Sequence, residues 1–213
     1  MEEEANDTQP EVKRAENPEH DVTTSVGADG QTSLDEGSRD DTSSSVQKLF
    51  ELGLAFDEAG FRDCVREDPS AVNARDEDGE TVLAAILRSF LALDLTQRIL
   101  RKPQLIEMMD ILMRSGFDIN TQNTKQQQTA LHVVTSSGNF PDVIKPLLAC
   151  GCKVNVLDRK SHSALHVAIL AGFSGNVQTL IEGGSDLNLA DARGETPLHM
   201  LCRGKVRYKE GIK

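Results

Sequence analysis

Hydrophobic residues are distributed unevenly along the 213-residue chain. Residues 2–45 contain no Phe, Tyr, Trp, Ile or Met, and Leu34 is their only leucine. Such a segment cannot bury enough apolar surface to offset the entropy lost on folding, so we predict that residues 1–45 form a disordered tail. From Val46 onward, apolar residues recur at helical spacing in short segments separated by glycine and polar turns. The pattern predicts an all-α fold from this point.

Two short motifs recur along the helical part of the chain. The first ends in Leu-His and occurs at residues 128–132, 162–166 and 195–199. The second begins with glycine and ends with asparagine, at residues 116–120, 151–155 and 184–188. The histidines are 34 and 33 residues apart, and the asparagines are 35 and 33 residues apart. Because both motifs keep register over three copies, the chain contains a structural repeat.

Each repeat is predicted to form two short helices followed by an extended finger. In the copy that begins near residue 163, apolar residues at 164, 165, 168 and 169 form one face before Gly172 interrupts the pattern. A second apolar face follows, and Gly183 and Gly184 end that helix, where a residue free to adopt positive φ is favoured. Helices this short are not stable alone, so each must pack on a neighbouring repeat. The prediction is a solenoid.

The repeat resembles a known family. Residues 192–199, Ala-Arg-Gly-Glu-Thr-Pro-Leu-His, resemble the opening of an ankyrin repeat, and the glycine-to-asparagine motifs resemble its close. The resemblance covers roughly residues 46–204 and implies an all-α ankyrin-repeat solenoid of helix-turn-helix units with β-hairpin fingers. We divide the chain into a disordered acidic Ser/Thr-rich tail (1–45), an N-terminal partial repeat or cap (46–75), a unit (76–120) with an insertion (88–105), two regular units (121–155 and 156–188), an incomplete unit (189–204) and a basic tail (205–213).

Three departures from the regular repeat carry information. Thr81 and Thr129 are 48 residues apart, 14 or 15 more than the equivalent residues of the later units. The surplus falls at residues 88–105, which form either a lengthened helix folded back onto the stack or a projecting element that engages a partner. Pro146 removes a backbone donor inside a second helix and predicts a weak or kinked helix. The last unit has no second helix after Cys202, which indicates a truncated form or an end covered by something else.

The net acidic charge of the chain, most of it near the N-terminus, argues against some classes of ligand. The chain has 34 acidic and 23 basic side chains, and residues 1–46 hold 13 of the acidic groups but only three basic ones. An acidic pole argues against DNA or RNA as a direct ligand, and the lack of a long apolar run argues against membrane insertion. The acidic start does not resemble a signal peptide, and four cysteines fit a reducing compartment. We expect a monomer that is cytoplasmic and/or nuclear.

Candidate catalytic and metal-binding residues do not converge. The three repeat histidines fall one repeat apart along the solenoid, which excludes a shared metal or catalytic site. The ankyrin resemblance implies instead that each histidine bonds the hydroxyl three residues before it and the backbone of the next finger, in the pairs Thr129–His132, Ser163–His166 and Thr196–His199. Cys150 and Cys152 lack a second pair at zinc-binding spacing. We predict no catalytic residue, no cofactor and no metal.

Five residues are candidates for modification. Thr32, Ser33 and Ser38 each precede an acidic residue by three positions, a pattern that suits an acid-directed kinase. The alternative is a solvated tail in which these hydroxyls occur by chance. In related repeats the asparagine that closes the motif can be hydroxylated, and the resemblance therefore makes Asn120 and Asn188 candidates.

A stacked solenoid offers an extended face and a row of finger tips, so we predict a non-catalytic protein–protein interaction module, an adaptor or scaffold. Residues 118–144 also resemble inhibitors that retain Rel/NF-kappa-B factors, and the alternative function is masking of such a transcription factor. The first finger tip is acidic and the next two are basic or neutral, which predicts a protein partner with charges in the reverse order. The ankyrin pattern places partner-facing positions at Glu77, Asp78, Glu80, Arg88, Ser89, Lys125, Gln126, Gln128, Ser136, Ser137, Arg159, Lys160, His162, Leu170, Ala171, Ala192, Arg193 and Glu195.

Overall fold

The computed structural model describes residues 40–203, with side chains from residue 44 onward. Most of the predicted disordered tail and the whole basic tail at 205–213 lie outside the described residues. Residues 40–45, which we had assigned to the disordered tail, instead belong to the first helix. Adding residues to an existing helix costs much less than nucleating one, so the helix extends from its apolar face into the preceding polar residues.

Nine α-helices make up the described part of the chain. They are α1 (Asp40–Ala55), α2 (Glu58–Glu67), α3 (Val82–Ala92), α4 (Leu95–Arg114), α5 (Ala130–Ser137), α6 (Pro141–Ala149), α7 (Ala164–Ala171), α8 (Ser174–Glu182) and α9 (Pro197–Cys202). A short 3-10 turn at Pro69–Asn73 follows α2.

The helices form two rows. Helices α1, α3, α5, α7 and α9 pack side by side in chain order and form the first row. In the second row α2 packs against α4, and α6 packs against α8. One cluster of buried apolar side chains runs through all the helices, from Leu49 in α1 to Met200 in α9. The predicted all-α solenoid is confirmed.

A hydroxyl side chain precedes each helix of the first row after α1. Thr81, Thr129, Ser163 and Thr196 occupy the N-cap positions of α3, α5, α7 and α9. The Thr81 hydroxyl, for example, accepts a hydrogen bond from the backbone N–H of Ala84 at 3.3 Å. Such caps satisfy backbone donors that have no partner within the helix, and they fix where each first helix begins.

The fingers are hydrogen-bonded turns and not β-hairpins with paired strands. Their backbone bonds join Asp76 N to Glu80 O, Asn123 N to Gln128 O, Asp158 N to His162 O, and Asp191 N to Glu195 O. Within residues 40–203 the only β-pairing is an isolated antiparallel bridge between Arg75 and Thr81. The Asp158 carboxylate accepts from the N–H groups of Lys160 and His162, so a side chain takes donors that a ladder needs. Apart from this bridge, the fingers of the described residues are therefore closed by turn hydrogen bonds and by side chains, without extended strands.

Most of the insertion lies in helix α4, and residues 88–92 end α3, which has 11 residues against eight in α5 and in α7. Helix α4 has 20 residues, whereas α6 and α8 have nine each, and it joins α3 through Leu93 and Asp94 alone. The surplus residues thus lengthen helices α3 and α4, which agrees with our interpretation of residues 88–105 as a lengthened helix. Pro103 lies inside α4, and α6 continues through Pro146 from Pro141 to Ala149, so Pro146 does not interrupt the helix. The weak or kinked helix expected there stays a prediction. One missing backbone donor is tolerated because the Leu147 and Ile144 side chains next to Pro146 are fully buried in the core.

Candidate protein-binding face

The repeat histidines hold neighbouring units together. The Thr129 backbone N–H donates to His132 Nδ1 at 3.3 Å, which leaves the ring proton on Nε2 to donate to the His162 carbonyl at 3.1 Å. In the next unit the Ser163 N–H donates to His166 Nδ1, and Nε2 lies 3.3 Å from the Glu195 carbonyl. Burial lowers the pKa of His132 and His166, although these carbonyl bonds oppose the shift. Both rings are therefore neutral structural links, as the ankyrin resemblance implied.

Exposed side chains of the fingers and of the first-row helices form one continuous surface, which we call the finger face. Lys160 and Arg193 at the third and fourth finger tips line the same groove as Leu170 of α7 and Met200 of α9. Ser136 and Ser137 at the end of α5 are exposed as well, and their hydroxyls donate to the Val133 carbonyl of their own helix. Tips and helix ends of successive units are thus available to one large partner.

Opposite charges on the first two finger tips neutralise each other. Lys125 Nζ lies 2.5 Å from a carboxylate oxygen of Asp78, and this hydrogen bond lowers the pKa of Asp78. Arg88 pairs with Glu80 at 3.1 Å, and the Arg159 guanidinium donates to the Lys125 carbonyl at 3.3 Å. The acidic first tip and the basic second tip are therefore paired with each other through Asp78 and Lys125. The charge order of a partner stays a prediction.

A groove of about 580 Å³ opens on the finger face between the third and last units. Six predicted residues meet there: Lys160, His162, Leu170, Ala192, Arg193 and Glu195. The other lining residues, Asp191, Met200 and Arg203, were not predicted. Asp191 occupies the finger position that Asp158 holds one unit earlier, so the repeat register itself was the signal that could have found it.

The carboxylates of this groove are already used by the fold. Asp191 accepts hydrogen bonds from the N–H groups of Arg193 and Glu195, both at 2.8 Å. Burial acts against ionisation of Asp191, yet these bonds hold its pKa below the ordinary value. His162 Nε2 lies 3.7 Å from Asp191, and Glu195 forms an ion pair with Arg203.

The remaining predicted positions are spread along the finger face and do not join this groove. Glu77 is exposed at the first finger tip and Ser89 is half-buried on α3. In the second finger, Gln126 and Gln128 donate their backbone N–H groups to the Asn123 side chain at 3.1 and 2.9 Å. Ala171 is half-buried at the end of α7.

The asparagine candidates for modification have different environments. The Asn120 side-chain oxygen accepts a hydrogen bond from the Lys153 N–H at 2.7 Å, which links two successive units. The Asn155 oxygen accepts from the Asp186 N–H at 2.9 Å in the same way. Asn188 is exposed, and its backbone N–H donates to the Asp186 carboxylate. The hydroxyl candidates Thr32, Ser33 and Ser38 lie outside the described residues.

The cysteine pair is not arranged as a ligand set. Burial raises the pKa of Cys152 to about 12, which keeps its thiol protonated, and burial also raises the pKa of Cys150. Between residues 44 and 203 there is no group of three or more His, Cys, Asp or Glu side chains that could hold a metal ion. In the same part of the chain no helix is long and apolar enough to cross a membrane.

The N-terminal half of α4 forms a second notable surface. Leu95, Ile99 and Leu100 are 67%, 65% and 70% exposed. On the other side of the helix, the Arg98 guanidinium lies 4.7 Å from the centre of the Phe140 ring, and Arg101 lies over Phe56 in the same manner. Lys102 pairs with Asp142 of α6 at 3.1 Å. Cations thus attach this part of α4 to the stack, and aliphatic side chains point to solvent.

Helix pairs stacked through capping histidines, with turn fingers between them, define the ankyrin-repeat class. The sequence model described as "Ankyrin repeats (3 copies)" matches residues 99–191. Residues 99–191 therefore consist of ankyrin repeats, and the resemblance drawn from the motifs is confirmed there. Ankyrin repeats are protein–protein interaction modules.

Curated relatives are similar to parts of the chain. It is 31% identical over 133 residues to NF-kappa-B inhibitor delta of Mus musculus, which covers 62% of this chain and 37% of that protein. It is 27% identical over 106 residues to the E3 ubiquitin-protein ligase KEG of Arabidopsis thaliana, covering 50% of this chain and 6% of the ligase. An ankyrin repeat-containing protein of Schizosaccharomyces pombe is 34% identical over 75 residues, covering 35% and 36% of the two chains. The matches thus span less than two fifths of each relative.

Proposed function

We propose that the protein is a non-catalytic adaptor or scaffold that binds another protein through the finger face. The observation that carries the proposal is that some polar side chains hold the repeats together and others are left exposed to solvent. The His132 and His166 rings hold successive units together, whereas Arg159, Lys160 and Arg193 stay exposed at the tips. We further propose that it acts as a monomer in the cytoplasm and/or nucleus, without direct contact with nucleic acid or membrane.

A capture experiment with the full chain tests this proposal. The bait is compared with a variant carrying Arg159→Glu, Lys160→Glu and Arg193→Glu, and with a control carrying Arg66→Glu, Lys145→Glu and Lys153→Glu. The control residues are also exposed but line no part of the groove, and the change of net charge is the same. We expect at least one protein to bind the wild-type bait and the control bait but not the variant with reversed finger-tip charges. Retention of the same proteins by all three baits would contradict the proposal.

A second candidate function is masking of a Rel/NF-kappa-B-type transcription factor. The similarity to NF-kappa-B inhibitor delta over 62% of the chain favours it. In that case the partner of the finger face is a Rel-type domain, and binding removes the factor from its DNA.

The test is a titration of the full chain into a complex of a purified Rel-type domain dimer with labelled DNA. The fluorescence anisotropy of the labelled DNA is expected to fall as the chain binds the Rel-type domain and releases the DNA from it. If the chain joins the complex without releasing DNA, masking is wrong although binding stands; if it does not bind, this second function is abandoned.

A further inference from the structure

The groove between the third and last units combines an apolar floor with a cationic rim. Leu170 of α7 is 53% exposed although it lies on a helix of the first row, and Met200 of α9, 6% exposed, also lines the groove. Lys160 and Arg193, one repeat apart, are exposed at the two adjacent finger tips. The groove therefore offers contact to an aliphatic or aromatic side chain and, at its edge, two positive charges.

The positive charges of the rim have no partner within the described residues. Glu195 is paired with Arg203, and Asp191 accepts two backbone hydrogen bonds. Between residues 44 and 203 no carboxylate forms an ion pair with Lys160 or Arg193. This differs from the first two finger tips, where Asp78 and Lys125 neutralise each other. Lys160 and Arg193 are therefore two exposed cations without a carboxylate partner at this groove, and Arg159, outside the groove, bonds a carbonyl only.

We propose that the groove binds an acidic segment of a partner protein in which an apolar residue is flanked by Asp or Glu. The inference rests on the proposed function and specifies its partner. The apolar side chain of the segment contacts Leu170 and Met200, and its carboxylates face Lys160 and Arg193. Partly desolvated charge pairs of this kind fix the orientation and choice of partner and speed its association.

The local charges favour a carboxylate-bearing peptide over a nucleic acid. The lining holds three cations, Lys160, Arg193 and Arg203, but also the carboxylates of Asp191 and Glu195. A phosphate backbone requires a continuous row of cations, and here two carboxylates interrupt it. A short segment with one or two acids suits two exposed cations, and the apolar floor provides a contact that a phosphate backbone does not use.

Selection of short random peptides displayed on phage tests the inference. The full chain is the bait, and the enriched peptides are titrated against the chain, a Lys160→Glu/Arg193→Glu variant, a Leu170→Asp variant and a Lys145→Glu/Lys153→Glu control. Lys145 and Lys153 are exposed and lie outside the groove, so the control changes net charge equally. We expect enriched peptides to contain Asp or Glu beside Leu, Ile, Phe or Met. We expect their affinity to fall about tenfold or more in both groove variants and to stay constant in the control.

A charge swap completes the test, because peptides with Lys in place of their acids are expected to bind the Lys160→Glu/Arg193→Glu variant better than the wild type. Enriched peptides that bind equally to the groove variants, or that carry basic residues, would overturn this inference and leave the proposed function standing. A short oligonucleotide that displaces the peptides at physiological salt would overturn it in favour of nucleic acid. Failure to enrich any peptide above a non-ankyrin bait would likewise overturn this inference, and the capture experiment decides the proposed function separately.

Discussion

Leu165 in α7 and Leu100 in α4 are both leucines within α-helices, yet Leu165 is fully buried and Leu100 is 70% exposed. The difference extends to their surroundings. In the regular units most aliphatic side chains of the helices are buried, although Leu170 is 53% exposed, and cations such as Lys160 stand at the finger tips. Along the N-terminal half of α4 the aliphatic side chains are exposed and the cations contact the stack. The regular units are therefore held together by apolar burial. The N-terminal half of α4, residues 95–105, which we call the α4 extension, contacts the rest of the stack through Arg98, Arg101 and Lys102.

The largest expected effect comes from truncating one leucine in each region. Leu165→Ala removes a fully buried side chain and is expected to lower the free energy of unfolding by about 2–5 kcal/mol. Leu100→Ala removes an exposed one and is expected to change it by less than about 0.5 kcal/mol. Urea denaturation followed by circular dichroism measures both. Equal losses would show that Leu100 is covered in solution and would remove the contrast between the regions.

The next effect concerns the links between the regular units. His166→Ala leaves the Ser163 N–H and the Glu195 carbonyl without their partner and is expected to cost about 1–3 kcal/mol. His199→Ala is the matched control, because His199 is exposed and no following finger lies within the described residues. The same denaturation experiment compares the two. A loss for His199→Ala as large as that for His166→Ala would be inconsistent with a structural role confined to links between units.

Acid is expected to weaken the regular units specifically. Burial lowers the pKa of His132 and His166 below the ordinary value of 6.5, so the unfolded chain binds more protons below that pH. Their contribution is complete above about pH 6.5 and falls as the pH drops toward the lowered pKa, by at most about 1.4 kcal/mol per pH unit for each histidine. Urea midpoints measured from about pH 7.5 to 5 report this, since most carboxylates titrate lower. His132→Gln/His166→Gln should flatten the dependence, and a midpoint that rises toward pH 5 would contradict the assignment.

A smaller effect tests how the α4 extension is attached. The Arg98–Phe140 contact is expected to contribute about 0.5–1 kcal/mol, obtained from a double-mutant cycle of Arg98→Ala and Phe140→Leu. Arg98→Lys serves as the control, because it retains a cation near the ring. A coupling energy of zero would mean that the extension is held by apolar contacts after all, as the regular units are.

The smallest effect is expected at the exposed pair of finger tips. Reversing both partners, Asp78→Lys with Lys125→Asp, preserves the pair and should leave thermal unfolding at physiological salt unchanged. Asp78→Lys alone places two cations together and should lower the melting temperature slightly, more so at low salt. A large drop for the swapped pair would show that these tips contribute more than surface electrostatics.

Much of the stack was predictable because its links are local in the sequence. The hydroxyl-to-histidine bond joins residues three apart, as in Ser163 and His166, so one short motif encodes both the helix start and the link to the next unit. Six of the groove residues are positions that the ankyrin resemblance implied to face a partner. The pairing of Asp78 with Lys125 joins residues 47 apart and was not visible in either segment alone.

The α4 extension shows where periodicity stops being informative. Its aliphatic and basic residues alternate with the same helical period, so Leu95, Ile99 and Leu100 could be assigned to a buried face as readily as Arg98 and Arg101. Which face is buried depends on two aromatic rings contributed by other units, Phe56 and Phe140. Because these two rings contact Arg98 and Arg101, the basic side chains of this part of α4 face the stack and its aliphatic side chains are exposed. At the fingers, the side chains of Asp158 and Asn123 accept hydrogen bonds from backbone N–H groups that strand pairing would otherwise use.

The histidine links also give the stack a direction. His132 and His166 each reach forward to the finger of the following unit, so the polar network of these two units is completed by the next one. Separation of the units at Glu195 would leave the His166 ring without its carbonyl partner, and separation at His162 would do the same to His132. A partner bound between Lys160 and Arg193 would span the two units that His166 joins and would therefore oppose their separation.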